Sequence, residues 1–216
     1  MLPEPEQSAV MNEAVALAER LRPAIGDQRV LAAIATIPRD RFVPEPVRGR
    51  AYENVALPIA CGQTISQPLV VARMLETLEL QPTDRVLDIG TGSGYHAALL
   101  ALLAKHVWTI ERHHELSALA ELTIRGLGLD NVTFAVGDGS EGLPDEAPFD
   151  AINVAAATGE SVPSVLEQQL ADGGRLVAPV GATNQHLILT RRTADGFQRE
   201  RLEAVRFVPL VRGEEP

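Results

Sequence analysis

Residues Val86 to Tyr95 read VLDIGTGSGY, and this stretch decides the fold. A short apolar run, Val86, Leu87 and Ile89, leads into Gly90, Gly92 and Gly94, and a helix-like run opens at Tyr95. A strand that turns through glycines into a helix is the opening unit of a doubly wound sheet, where backbone amides at the turn come close to a ligand. The spacing is G-x-G-x-G, whereas the dinucleotide fingerprint is G-x-G-x-x-G, and no G-K-[ST] follows for a phosphate loop. Asp88, two residues before the turn, would repel a pyrophosphate but suits a ligand bearing a sulfonium and an ammonium. The charge pattern therefore points to S-adenosylmethionine rather than NAD.

Downstream the pattern is regular. Strand-like runs at Arg85 to Ile89, His106 to Ile110, Val132 to Val136, Asp150 to Val154 and Arg175 to Pro179 alternate with helix-like runs at Tyr95 to Ala104, Glu115 to Leu127 and Ser164 to Leu170. Repeated strand and helix predict right-handed βαβ units and a parallel sheet. A last pair, His186 to Arg192 and Phe197 to Glu203, is joined by TADG, a hairpin signal, and should close the sheet with antiparallel strands. Upstream, helical spacing runs from Val10 to Arg22 and from Gln28 to Ile37, with Asp27 placed to cap the second helix. The expected fold is α/β: a doubly wound, mostly parallel sheet with a helical N-terminal extension and antiparallel C-terminal strands. One domain over 1–216 is expected, with the extension and a substrate segment in 1–80 and the cofactor core in 81–216.

Two more acids fall at the ends of the next two strands. Glu111 lies 21 residues after Gly90 and closes VWTIE, where a carboxylate can accept from two ribose hydroxyls. Asp138, in VGDGS, could accept from the adenine amino group, while Gly139 lets the ring approach. Each acid has a plainer reading: Asp88 as turn chemistry, Glu111 as a solvated helix N-terminus, Asp138 as an Asx turn. Their joint placement beside a glycine turn is what favours the cofactor.

Composition narrows the acceptor. The net charge of −10, from 29 acidic and 19 basic residues, gives a polyanion an unfavourable field. After the fourth strand the chain reads DAINVAAATG, without the Asn or Asp, two prolines and an aromatic that serve base-amino methylation. Nucleic acid is therefore not expected as a partner. The single cysteine, Cys61, excludes an internal disulfide and a multi-cysteine metal site, and is read as a buried small hydrophobe. His113-His114 lacks the i, i+4 spacing of two ligands on one helix face, so no metal is expected. Trp108 reads as core. The start, MLPEPEQ, has no secretion-signal pattern and no apolar run reaches membrane-spanning length, so a cytoplasmic protein without a membrane partner is expected.

The segment after Pro38, RDRFVPEPVRGRAYENVALPIACGQTISQP, is too irregular for a core element and too rich in Arg and aromatics for a linker. It should lie over the domain and carry function. Together, IPRDRFVP, YENVALPI, GQTISQP, VLDIGTGSGY, GDGS, LADGGRLVAPVG and VRFVPL, in this order from about Asp27 to Gly213, resemble the protein-L-isoaspartate O-methyltransferase family. The resemblance implies a Rossmann-like methyltransferase fold and transfer of a methyl group from S-adenosylmethionine to the free α-carboxylate of L-isoaspartyl residues in damaged proteins. The ester then collapses to a succinimide that can reopen as aspartate. A carboxylate with a pKa of about 3.5 to 4 is already ionised at neutral pH, so this chemistry asks for hydroxyls and amides that align it rather than for a general base.

Thr64-Ile65-Ser66 supplies such groups. The resemblance makes Ser66 the active-site position, here an orienter of the acceptor carboxylate, with Thr64 and Ile65 shaping the pocket and the VRFVPL backbone holding an extended peptide. Ser66 is also a good N-cap for a helix starting near Pro68, and both roles are compatible. Departures from the family pattern are Asp88 for Glu, Ala60 for Gly, Leu69 for a ring and Thr158-Gly159 for Pro. Two other readings share the turn: an enzyme that tailors aspartate in a precursor peptide, and a module that binds the cofactor without catalysis. Tailoring relatives often carry an added C-terminal domain, and the sequence stops at Pro216, just past VRFVPL, which favours repair; the intact TIS stretch argues against a silent module. A monomer is expected.

Overall fold

The computed structural model describes residues 4–213. In its order of elements, α1 (Glu4–Leu21) and α2 (Gln28–Thr36) lead into a run of 3-10 turns carrying β1 (Leu57–Pro58) and β2 (Thr64–Ile65), followed by α3 (Pro68–Thr77). The core follows as β3 (Arg85–Ile89), α4 (Tyr95–Leu103), β4 (His106–Glu111), α5 (His114–Arg125), β5 (Val132–Val136) and β6 (Phe149–Val154). It ends with α6 (Ser164–Gln168), β7 (Leu170–Val180), β8 (Gln185–Thr193) and β9 (Gly196–Val205).

Among the described residues the main sheet has seven strands in the order β5-β4-β3-β6-β7-β8-β9. β5, β4, β3, β6 and β7 run parallel, while β8 and β9 add antiparallel, as expected. The sequence order reverses beside β3, between β4 on one side and β6 on the other, and an open α/β sheet binds ligands at the carboxyl end of such a switch point.

The inner strands are buried on both faces, which is why they read as near-continuous apolar runs. Val86, Ala151 and Val177 turn toward a cluster that also holds Leu17, Ile25, Ile34 and Ile65, so the N-terminal helices pack onto the same face as α4. Leu87, Ile152 and Leu176 turn the other way, onto Trp108, Phe149 and Leu166. Asp27 caps α2 as expected, accepting from the backbone N–H of Arg29 and Val30. The TADG hairpin forms, with Thr193 paired to Gly196 across a two-residue loop.

Several boundaries moved, among them the start of β7, at Leu170 rather than Arg175. α1 begins earlier than Val10, at Glu4, and α6 is shorter than its apolar pattern suggested. Leu170 is fully buried and pairs with Phe149 of β6, whose N–H donates to the Gln169 carbonyl at 2.8 Å. Sheet pairing thus overrides the local helical pattern there. Among the described residues no helix is long and apolar enough to cross a membrane.

Candidate active site

The turn after β3 sits at the switch point. The Gly90 N–H donates to the Ile110 carbonyl on one side at 2.9 Å, and the Ala155 N–H donates to the Ile89 carbonyl on the other at 2.8 Å. Gly94 opens α4 with φ at +87°, and a Cβ there would lie 2.9 Å from Ala120 Cβ on α5, so glycine is required twice over. The turn faces a pocket whose wall includes Gly90 to Ser93, Glu111, Gly139, Gln63 to Ser66 and Val208 to Val211. The glycine turn and the TIS stretch, far apart in sequence, therefore share one cavity.

Of the residues anticipated from sequence, Thr64, Ile65, Ser66, Gly90, Gly92, Glu111 and Gly139 meet on this wall. Glu111 is buried there, its Oε2 accepting from Gly92 N–H at 2.8 Å and its Oε1 from His113 N–H at 3.1 Å. Each carboxylate oxygen has a further lone pair, so two acceptors remain for a diol. Asp88, Gly94 and Asp138 are not on the wall.

Asp88 lies fully buried beneath the turn, accepting from Asn153 Nδ2 at 2.7 Å and Thr109 Oγ1 at 2.9 Å. Thr109 in turn shares a 2.6 Å hydrogen bond with Thr91 of the turn. Burial pushes the Asp88 carboxyl up to about 7 despite the donors from Asn153 and Thr109, and the neighbouring Glu111 adds to the rise. Direct contact with a ligand cation gives way here to support of the turn from below.

Asp138 takes the plainer form. Its Oδ1 accepts from Ser140 N–H at 2.8 Å, an Asx turn, and its Oδ2 from Gly213 N–H at 2.6 Å. Partial burial works against its charge, yet the N–H groups of Gly213 and Ser140 and the Arg212 charge hold it below the usual carboxylate range. The carboxylate so ties down the segment that carries Val208 to Val211, while Gly139 beside it reaches the wall.

Ser66 is not the helix cap. α3 has Gln67 at its N-cap without a side-chain bond and Pro68 in its first turn, and the Leu69 N–H is satisfied instead by Asn54 Oδ1 at 2.9 Å. The Ser66 carbonyl accepts from Arg39 Nη2 at 2.9 Å, and its hydroxyl has no hydrogen-bond partner among the described residues, leaving it open to a ligand. Ile65 is fixed by pairing with Leu57 across β1 and β2. Ala157 exchanges backbone hydrogen bonds with Val208 and Leu210, both 2.8 Å, which brings the VRFVPL segment against the end of β6. Thr158 N–H donates to the Pro179 carbonyl at 2.9 Å, binding the departure at Thr158-Gly159 to the end of β7.

Cys61 corrects its expectation. It is exposed, not buried, on a tight 3-10 turn at φ +54°, with Sγ 3.8 Å from Glu115 Oε2. Trp108 is core, and no His, Cys, Asp and Glu group among the described residues could hold a metal ion. Sequence reasoning missed His96 on the wall and the buried Asn153, Thr109 and Arg39 around it. The available signal was polar side chains embedded in apolar runs, as in DAINV and IPRDRF.

S-adenosylmethionine fits this donor set. The wall offers a buried carboxylate, Glu111, at the end of the neighbouring strand, glycines that admit close approach, and no basic residue in the turn itself that would favour a phosphate.

The protein-L-isoaspartate(D-aspartate) O-methyltransferase family model matches residues 11–215. The chain is 56% identical over 194 residues to a protein-L-isoaspartate O-methyltransferase of Roseiflexus castenholzii, covering 89% of this chain and 88% of the relative. It is 50% identical over 218 residues to one of Dinoroseobacter shibae, covering 100% and 98%. A solved protein-L-isoaspartate O-methyltransferase superposes with a TM-score of 0.82 at 28% identity, over 90% of this chain and 64% of that one. A Plasmodium falciparum structure similarly described, in complex with S-adenosyl-L-homocysteine, gives 0.81 at 27% identity over 92% and 98%. With the family model matched over residues 11–215 and the whole chain aligned to a relative at 50% identity, this chain belongs to the protein-L-isoaspartate(D-aspartate) O-methyltransferase family.

Proposed function

We propose that the two halves of this pocket serve the two substrates of a carboxyl methyl transfer, the glycine turn and Glu111 holding S-adenosylmethionine and the Thr64-Ile65-Ser66 stretch receiving the free α-carboxylate of an L-isoaspartyl residue. The observation that carries the reading is the Ser66 hydroxyl, without a hydrogen-bond partner among the described residues and on the same wall as Gly90 to Ser93. When bound, S-adenosylmethionine supplies an electrophilic methyl group on a sulfonium. Gly92 and Glu111 hold the turn, and Glu111 keeps lone pairs for the ribose. Ser66 donates to the acceptor carboxylate, while Val208 to Val211 flank the peptide and shield the reaction from water.

No residue has to remove a proton, because the acceptor arrives ionised. His96 accords with this. Burial and then the Arg39 charge push its imidazole down to about 4, so it is neutral at pH 7 and no longer a useful base. The substrates under this reading are isoaspartyl-containing proteins and peptides. We further propose a single-domain monomer of the cytoplasm without nucleic-acid or membrane partners; for nucleic acid, the net charge of −10 supports this.

The test uses a pair of peptides differing only in an isoaspartyl or aspartyl linkage, with methyl-labelled S-adenosylmethionine. Label should enter the isoaspartyl peptide alone; equal labelling of both, or of neither, removes the reading.

A further inference from the structure

Arg39 is the largest fully buried side chain among the described residues, and no step of the proposed methyl transfer uses it. Its Nε donates to the Ala51 carbonyl at 2.8 Å and its Nη2 to the Ser66 carbonyl at 2.9 Å. Among the described residues its Nη1 has no hydrogen-bond partner, and neither has the buried Tyr95 hydroxyl. The guanidinium lies 4.9 Å from the centroid of the Tyr95 ring. Its contacts are thus carbonyl oxygens and a π face, and among the described residues no carboxylate pairs with it. The adjacent Asp40 instead accepts from the Tyr52 hydroxyl at 2.8 Å.

A buried cation without an anion is a costly arrangement that an apolar side chain of similar volume would avoid. Its position gives it a use. Ser66, whose carbonyl it grips, and Tyr95, over whose ring it lies, both line the pocket, and its charge reaches His96 on the same wall. In a low-dielectric interior such a charge acts over several ångströms.

We propose that Arg39 is a positioning and specificity-determining residue, which fixes Ser66 through its carbonyl and supplies, from behind the wall, the positive charge that draws an ionised carboxylate into the pocket. The inference rests on the acceptor reading given above. Two contributions follow, and they separate. The charge governs acceptor binding and therefore KM; the forked grip on Ala51 and Ser66 governs alignment and therefore kcat. Lysine keeps the first and loses the second, since a single ammonium cannot reproduce the planar fork.

The test compares wild type with Arg39→Met and Arg39→Lys in steady-state methylation of an isoaspartyl peptide, with S-adenosyl-L-homocysteine affinity measured by calorimetry. Arg39→Met should raise the peptide KM by about tenfold and also lower kcat, whereas Arg39→Lys should lower kcat but hold KM within about twofold of wild type. Homocysteine-product affinity should stay near wild type in both, as a merely structural role would not allow. If Arg39→Met fails to bind that product, Arg39→Gln, uncharged but able to reach one carbonyl, replaces it in the same comparison. Equal KM for the charged and uncharged variants overturns the inference. An inactive wild type would instead sink the functional reading, which keeps the two failures apart.

Discussion

The backbone N–H of Gly92 donates to Glu111 Oε2 at 2.8 Å, so the carboxylate that ends β4 grips the turn that follows β3. One side chain thereby shapes the glycine turn and lines the pocket beside it. Glu111→Ala should weaken S-adenosyl-L-homocysteine binding by about 2 to 3 kcal/mol, the scale of charge-assisted hydrogen bonds, or roughly 30- to 150-fold in Kd. Calorimetric titration reads this directly, and an unchanged Kd would confine Glu111 to supporting the turn.

Ser66→Ala should act on turnover alone. A lost hydrogen bond to a charged acceptor corresponds to about 1.5 to 3 kcal/mol, so kcat should fall by roughly tenfold or more with cofactor affinity unchanged. Thermal stability should not move, because the hydroxyl caps nothing in α3. A drop of about 1 kcal/mol in unfolding free energy would reveal a capping role after all.

Asp88 imposes a pH dependence on stability. Its carboxyl rises from an ordinary 3.8 to about 7 on folding, so the folded chain holds a proton that the unfolded chain has released. That stabilisation is complete below about 4 and is lost as pH rises through about 7. His96 works in the opposite sense: its value falls from 6.5 to about 4, so its stabilisation is present above 6.5 and lost as pH falls through about 4. The two oppose one another across the acidic range. Asp88→Asn keeps the shape, since an amide can donate to Thr109 while still accepting from Asn153. Denaturant unfolding should show the variant gaining on wild type from about pH 4 to about pH 7 and then holding a constant lead; a difference that is constant throughout would mean that Asp88 stays ionised when folded.

Gly139→Ala tests the closeness of the third strand end. The new Cβ would fall 2.6 Å from Cγ2 of Ile89, a β-branched side chain in a central strand with little freedom to retreat. Overpacking of this kind costs about 1 to 3 kcal/mol and should also lower cofactor affinity. Gly49→Ala, which meets nothing within 4 Å, is the matched control. Equal denaturation midpoints for the two variants would contradict the packing.

The sequence pattern reached furthest where one local rule was enough. Alternating strands and helices fixed the parallel sheet, TADG fixed the hairpin, and Asp27 fixed a cap, because each depends on neighbours within a few residues. It reached least where partners come from distant strands. Whether Asp88 looks at a ligand or at Asn153 depends on register across β3 and β6, in which Asp88 pairs with Asn153, and spacing alone does not reveal it. Likewise α6 gave way to β7 because Leu170 meets Phe149 of another strand. Cys61 shows the same limit in reverse: an apolar-looking stretch, LPIACG, put its thiol outside because the chain turns sharply there.

The stretch from Val208 to Val211 closes the pocket yet lies beyond β9, outside the main sheet. Removal of the chain beyond Val205 would therefore leave every strand of the main sheet in place while taking away one side of the pocket wall. Integrity and competence would part company in such a molecule.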